Sequence, residues 1–510
     1  MKALSVLGTS SNAGKSWIVT ALGAWLRRQG VNVVPFKAQN MSNNSYVTLE
    51  GGEIGRAQAA QAAACGVRPV AEHNPVLLKP SGNGTSQLVL LGEPKQHIRA
   101  GDYYQHIEDI WQVVEQTLES WRDRCDVLLL EGAGSPVELN LMHRDIVNLR
   151  PIQYLQGRWL LVGDIERGGI FSQIIGTHTL IPESAKSLGL GFIVNKFRGD
   201  LRLFDTAGEY FAKHLPDFPY LGTLPYRGHL QPESEDSLCK EAEESGSGAK
   251  FAWIRFPRVS NSQDSQPWQL DTGIRTCWVT TPEELADARA IILPGSKNTL
   301  QDLEWLQQAG LADAIQQAAQ RGIPIVGICG GYQMLGQSLA DPNGYAGLAG
   351  KVSGLGLLPI TTEFINYKEV RQVSAIAPAL TCQFATHNNS TETWQAYEIH
   401  MGQTSTVTSD ISASPLLDIE VQGTQQPEGT HCVHTWEATQ SHVWGTYLHG
   451  LFESTSMRQT LAQLAHVQNY RPGTLAWQQQ QFQLYDQMAD TLEEYCNLDP
   501  IRQWVGLTLY

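Results

Sequence analysis

Gly8-Thr9-Ser10-Ser11-Asn12-Ala13-Gly14-Lys15-Ser16 decides the fold of the first part of this chain. The apolar run Ala3–Leu7 precedes it and the amphipathic pattern Trp17–Gln29 follows, so the order is strand, Gly-rich turn, helix. Backbone N–H groups in such a turn surround phosphate oxygens, and the helix dipole favours negative charge there. Thr9, Asn12, Ala13 and Gly14 would line the nucleotide, and Lys15 would reach its terminal phosphates. The Ser16 hydroxyl would ligate Mg²⁺. Five residues separate Gly8 from Gly14, one more than the usual spacing. A Gly-rich turn without a ligand is the plain alternative.

Outward from this loop, Val31–Phe36, Asp126–Leu130, Trp159–Gly163 and Gly191–Asn195 read as buried strands, with Ile107–Arg122 a helix among them. Alternation of this kind predicts an α/β fold with a parallel sheet. Glu131 follows Asp126–Leu130 directly and opens Glu131-Gly132-Ala133-Gly134-Ser135. A carboxylate at a strand end beside a phosphate loop suits Mg²⁺. Asp164-Ile165-Glu166-Arg167-Gly168-Gly169 ends another strand, where phosphate or metal binding and local ion pairing are both open readings.

An acidic, small-residue stretch at 232–250 predicts a linker after a first domain at 1–231. A second α/β domain is expected at 251–455, with strands at Phe251–Arg255, Ala290–Leu293 and Ile325–Ile328 and a helix at Ala312–Arg321. From Ser374 to Glu437 the pattern suggests antiparallel strands, and 456–510 reads as a helical extension. Within the second domain, Gly327-Ile328-Cys329-Gly330-Gly331 sits between a strand and a helical stretch. This is a strand, nucleophile, helix elbow built on a thiol. The helix N-terminus lowers a thiol pKa and aims N–H groups, Gly330 among them, at an oxyanion. Tyr447-Leu448-His449-Gly450 supplies a base after the apolar run Val443–Tyr447.

Composition sets the outer limits. Across 510 residues, 36 Lys and Arg face 51 Asp and Glu, a net −15, which argues against non-specific binding to nucleic acid or anionic membrane. No apolar run approaches the roughly 18–20 residues of a membrane helix, and the N-terminal run meets Gly8 too early to read as a signal peptide. Eight scattered cysteines without a CxxC pair fit a reducing cytoplasm. His431, Cys432 and His434 make a poor zinc set, since neighbours alternate faces on a strand. His97 and His106 read as surface residues.

The long phosphate loop with Glu131-Gly132-Ala133-Gly134 resembles dethiobiotin synthetase and its relatives, which activate carboxylates with ATP. That resemblance implies an Mg²⁺ ligand at Glu131. MinD/ParA-type ATPases carry a lysine where this chain has Ser10, which points away from a dimerising switch. The elbow is similar to class I glutamine amidotransferases, which implies glutamine binding at Gln333 and an oxyanion loop at Leu293-Pro294-Gly295-Ser296. The usual His-Pro-Glu ending is absent, and Leu451 stands in the place of the Glu. A Cys329–His449 dyad, or a third residue from elsewhere, is therefore expected. Glu453 is not expected to orient His449.

Lys37-Ala38-Gln39-Asn40-Met41-Ser42-Asn43-Asn44-Ser45, Asn74-Pro75-Val76-Leu77-Leu78-Lys79-Pro80 and Asn195-Lys196-Phe197-Arg198-Gly199-Asp200 extend the resemblance over nearly the whole chain, as does Tyr397-Glu398-Ile399-His400-Met401-Gly402. Together they resemble the cobyric acid synthase family. The resemblance implies amidation of four carboxylates of a corrinoid a,c-diamide, with ATP, Mg²⁺ and glutamine. Lys37, Asn40, Asn43, Lys79 and Arg198 become candidate contacts for phosphate or substrate, against ordinary surface roles. Cobyrinic acid a,c-diamide synthase is the nearest alternative, but it carries a G-P-D-Y-I-D segment where this chain has neutral amides after Lys37. A P-loop regulatory ATPase with a degenerate hydrolase domain is the alternative of another class.

Overall fold

The computed structural model describes residues 1–82, 84–232, 245–347, 349–377, 392–409, 411–433 and 442–507. The chain forms two units. One comprises 1–42, 52–235 and 479–510, and the other 43–51 and 236–478.

The first unit is built on a six-stranded sheet in the order Tyr220–Pro225, Gly189–Phe197, Arg158–Asp164, Lys2–Gly8, Val127–Glu131, Val33–Phe36. All its pairings are parallel. Every residue of Val127–Glu131 is buried, as is all of Lys2–Gly8 after its first residue. Such near-continuous apolar runs are what a sheet covered on both faces demands. The chain steps from Lys2–Gly8 to one edge, then returns to fill the other side. Loops at the strand C-termini therefore meet at a switch point, where ligands of open α/β sheets bind.

Helix Lys15–Arg28 buries Ile18, Val19, Leu22, Trp25 and Leu26 on this sheet, and closes with Arg27 and Arg28 in its last turn, where cations suit the dipole. Arg27 pairs with Asp486 and Arg28 with Asp490. Tyr485, Met488, Leu492 and Ile501 complete the core beside Trp25. The expected extension at 456–510 is thus not one piece. Helix Thr455–Leu464 belongs to the second unit, whereas residues from 479 onward complete the first.

The second unit has an eight-stranded sheet whose centre runs Gly273–Val279, Gly248–Ile254, Ala288–Leu293, Ile325–Ile328, Val443–Thr446, all parallel. Gly248–Ile254 starts inside the expected linker, so the linker ends earlier than 250. Antiparallel pairing begins well before the expected Ser374, with Ser338–Asp341 against Gly350–Ser353. The long strands Ile360–Ile376 and Thr393–Thr406 pair with each other.

Candidate functional site

The phosphate loop has the backbone its sequence predicts. Gly14 adopts φ 100°, and a Cβ there would lie 2.0 Å from the Asn195 amide nitrogen, so only glycine fits. Asn12 also takes a left-handed φ of 60°. Asn195 donates to the Ala13 carbonyl at 3.0 Å, and the Thr9 hydroxyl donates to Gln173 at 3.0 Å. Lys15 folds over the loop and donates to the carbonyls of Ser10 (3.0 Å) and Gly134 (3.1 Å). Its ammonium therefore sits between the phosphate loop and the Gly-rich loop after Glu131.

Glu131 is the buried last residue of its strand. Its Oε1 accepts from the Ser16 hydroxyl and from the Lys37 ammonium, each at 2.9 Å, and Gln61 donates to Oε2. Burial pushes this carboxyl up, but Lys37 outweighs it with help from Gln61 and Lys15, and the pKa is lowered. A hydroxyl and an ionised carboxylate on one point are the hard oxygen donors Mg²⁺ takes. The Lys37 ammonium already places a cation on that carboxylate. These residues fit the metal.

Lys37 and Lys79 are not surface charges. Both are buried, the second paired with the buried Glu53. Asn40 is also buried, accepting from the Met41 N–H and donating to Gln58 at 2.8 Å. Arg198 is exposed, paired with Glu166 at 2.7 Å and stacked over Tyr226. Asp164 pairs with Lys196 at 3.0 Å. Asn43 falls in the second unit, apart from Asn40 in the division of the chain.

In the second unit, Ile328 pairs with Thr446 on adjacent parallel strands, so the elbow and the His449 segment leave the sheet side by side. Cys329 takes φ 52° and ψ −108°, a strained conformation for a residue with a side chain. Its N–H donates to the Thr446 carbonyl at 2.8 Å, which anchors the turn. A Cβ on Gly330 would stand 2.8 Å from the Ser296 backbone nitrogen, so the two candidate oxyanion segments meet there. The Ser296 hydroxyl is engaged by Asp302 at 2.5 Å, which leaves its backbone as the part suited to an oxyanion. Gln333 is buried and donates to the Met401 carbonyl at 2.9 Å, while Gly295 packs against the His449 ring.

The missing acid comes from an unexpected place. Asp264 Oδ2 accepts from His449 Nδ1 at 2.7 Å, and its Oδ1 accepts from the Gly450 N–H at 2.9 Å. Both side chains are buried. Burial disfavours the imidazolium, yet the Asp264 carboxylate and then Cys329 outweigh it, and the His449 pKa is raised. Of the two expected arrangements, a bare dyad or a third residue from elsewhere, the geometry fits the second, with Asp264 beside His449. Leu451, in the place of the usual acid, is fully buried in the core. Asp264 lies in the 3₁₀ stretch Ser262–Leu270, after the C-terminal end of Gly248–Ile254. The available signal was its position in a loop at the same sheet edge as Cys329.

Of the dismissed candidates, His431 bonds Ser414 at 2.8 Å and the Cys432 thiol bonds the Leu357 carbonyl at 3.0 Å, while His434 lies outside the described residues. His97 is exposed, and His106 is exposed beside Asp109. Among the described residues no group of three or more His, Cys, Asp or Glu could hold a metal.

Residues 4–238 match the CobQ/CobB/MinD/ParA nucleotide binding domain, and residues 250–457 match the CobB/CobQ-like glutamine amidotransferase domain. A cobyric acid synthase of Synechocystis sp. (strain ATCC 27184 / PCC 6803 / Kazusa) is 39% identical over 511 residues, covering 99% of this chain and 98% of that protein. One from Herpetosiphon aurantiacus is 41% identical, covering 89% of this chain and 90% of its own length. One from Trichormus variabilis is 38% identical, covering 98% and 99%.

Proposed function

The chain belongs to the cobyric acid synthase family, and from that premise we propose that it amidates the b, d, e and g side-chain carboxylates of adenosylcobyrinic acid a,c-diamide, giving adenosylcobyric acid in cobalamin biosynthesis. ATP and glutamine are co-substrates. The observation that carries the reading is the presence of two half-sites in a chain that one such synthase matches over 99% of its length. One half-site is a phosphate loop with Ser16 on Glu131, and the other is an elbow Cys329 with His449 on Asp264. Neither the diamide synthase nor the switch ATPase is favoured by these relatives.

In the ATP half, Lys15 would leave the Ser10 and Gly134 carbonyls for the phosphates and hold the migrating γ-phosphoryl charge. Ser16 and Glu131 are the residues that would hold Mg²⁺, which when bound neutralises phosphate charge. The corrinoid carboxylate becomes an acyl phosphate, and ammonia displaces phosphate to leave the amide. Lys37, Asn40, Asn43, Lys79 and Arg198 are retained as candidate contacts for phosphate or corrinoid.

In the glutamine half, His449 Nε2 takes the thiol proton of Cys329, and the sulfur attacks the side-chain amide carbon. Gly295, Ser296 and Gly330 offer backbone donors to the oxyanion, and Gln333 helps hold the substrate. His449 returns the proton to the leaving nitrogen, ammonia departs, and water hydrolyses the thioester to glutamate. Asp264 keeps the imidazole in the Nδ1–H tautomer throughout.

No described helix is long and apolar enough to cross a membrane. We place the reaction in the cytoplasm, with small molecules and no nucleic acid as partners. Glutamine carrying nitrogen-15 in its amide tests the reading. The label should enter the corrinoid only when ATP is present, and label that stays in free ammonia with no corrinoid product would contradict it.

A further inference from the structure

His449 has a second buried partner, unused by the mechanism above. The Asn261 side-chain nitrogen lies 2.9 Å from His449 Nε2, the ring nitrogen left after Nδ1 is given to Asp264. Asn261 is itself buried, in a left-handed conformation at φ 54°. The orientation of its amide is fixed by a backbone donor, because the Ser45 N–H donates to Asn261 Oδ1 at 3.1 Å. A backbone N–H cannot accept, so the NH₂ end must face the imidazole.

Ser45 belongs to the segment 43–51, which is separated from the rest of the second unit by nearly two hundred residues of chain. The segment is held on its own account. The Tyr397 hydroxyl donates to the Ser45 carbonyl at 3.2 Å, and Gln372 donates to the Tyr46 hydroxyl at 2.7 Å and the Val47 carbonyl at 2.6 Å. Tyr397 also stacks on the His449 ring, with centroids 5.1 Å apart.

An NH₂ group facing Nε2 occupies the lone pair that must accept the Cys329 proton. Once Nε2 is protonated, two donors face each other in a buried place. The Asn261 amide must then turn its oxygen to Nε2 and release the Ser45 N–H, or withdraw. Asp264 and Cys329 draw a proton to His449, and the docked Asn261 opposes them. We propose that Asn261 is a positioning residue for glutamine hydrolysis, set by the segment 43–51, and that it holds His449 as a neutral base until the Ser45 contact is released. The proposal rests on Cys329 and His449 being the glutaminase pair.

The test compares Cys329 alkylation by iodoacetamide, followed by mass spectrometry, with glutamine hydrolysis in the full-length protein without ATP or corrinoid. Asn261→Asp keeps an acceptor for Ser45 but turns an acceptor to Nε2. It should speed both reactions by about tenfold, in kcat and with little change in KM for glutamine. A substitution that merely loosened the fold would slow them. Gln372→Ala removes two of the bonds that hold the segment, those to Tyr46 and Val47, without touching His449, and should raise both rates in the same direction. Failure of Asn261→Asp to raise either rate overturns the role of Asn261, and failure of Gln372→Ala overturns the role of the segment. Cys329→Ser is run alongside, and glutamine hydrolysis by that variant would overturn the glutaminase reading itself, whatever Asn261 does.

Discussion

His449 Nδ1 and Asp264 Oδ2 lie 2.7 Å apart, both buried, although 185 residues separate them in the chain. Asp264 holds the imidazole and raises its pKa, which makes His449 the stronger acceptor for a proton. Asp264→Asn should therefore cut glutamine hydrolysis by roughly a thousandfold. It should also slow Cys329 alkylation by iodoacetamide at neutral pH, because the imidazole loses the carboxylate that favours its protonated form. Ammonia-supported amidation should be unchanged. A Glu453→Gln variant as inactive as Asp264→Asn would give the orienting role to Glu453 instead.

Cys329→Ser should abolish amidation supported by glutamine and leave amidation supported by high free ammonia. The thiol is needed only to release nitrogen from glutamine. Product formation from each nitrogen source, measured on the same preparation, checks this.

Lys15→Ala and Glu131→Gln should each stop amidation with either nitrogen source, since carboxylate activation precedes ammonia attack. Glu131→Gln should also raise the Mg²⁺ concentration needed for any residual rate, because an ionised ligand is lost. Normal ammonia-supported turnover in either variant would remove its assigned role.

Arg458 is fully buried and donates to Asp271 at 2.8 Å and to the Phe452 carbonyl at 2.6 Å, three residues beyond His449. Arg458→Met leaves the buried Asp271 carboxylate without a counter-charge, held only by the Tyr470 hydroxyl and the Gly473 N–H, and should cost about 3 kcal/mol of stability. Denaturant unfolding of the two proteins measures it. A change below ~1 kcal/mol would mean that the pair is not structural.

The phosphate loop, Glu131, Cys329 and His449 were legible in the sequence because each announces itself locally. A glycine pattern at a strand-to-helix turn, or a polar residue ending an apolar run, depends on a few neighbours only. Asp264 and Asn261 carry no such mark. They sit in a polar stretch where any Asp or Asn would pass as a turn residue, and only the sheet order brings them to His449. Lys37 and Lys79 carry no local mark of burial for the same reason, since their buried partners Glu131 and Glu53 are distant or unremarkable in sequence. The division of the C-terminal stretch was hidden because an amphipathic helix reads alike whichever core it completes.

Substrate identity and the number of amides gained set this chain apart from a diamide synthase. Mass spectrometry of adenosylcobyrinic acid a,c-diamide incubated with the protein, ATP, Mg²⁺ and glutamine tests both most directly. The corrinoid should undergo four successive OH-to-NH₂ exchanges, each lowering the mass by about one unit as ammonia displaces an acyl phosphate, with partly amidated species on the way. Cobyrinic acid without amides should be a poor substrate. Conversion of cobyrinic acid to its a,c-diamide, with no further change, would instead make the chain a diamide synthase.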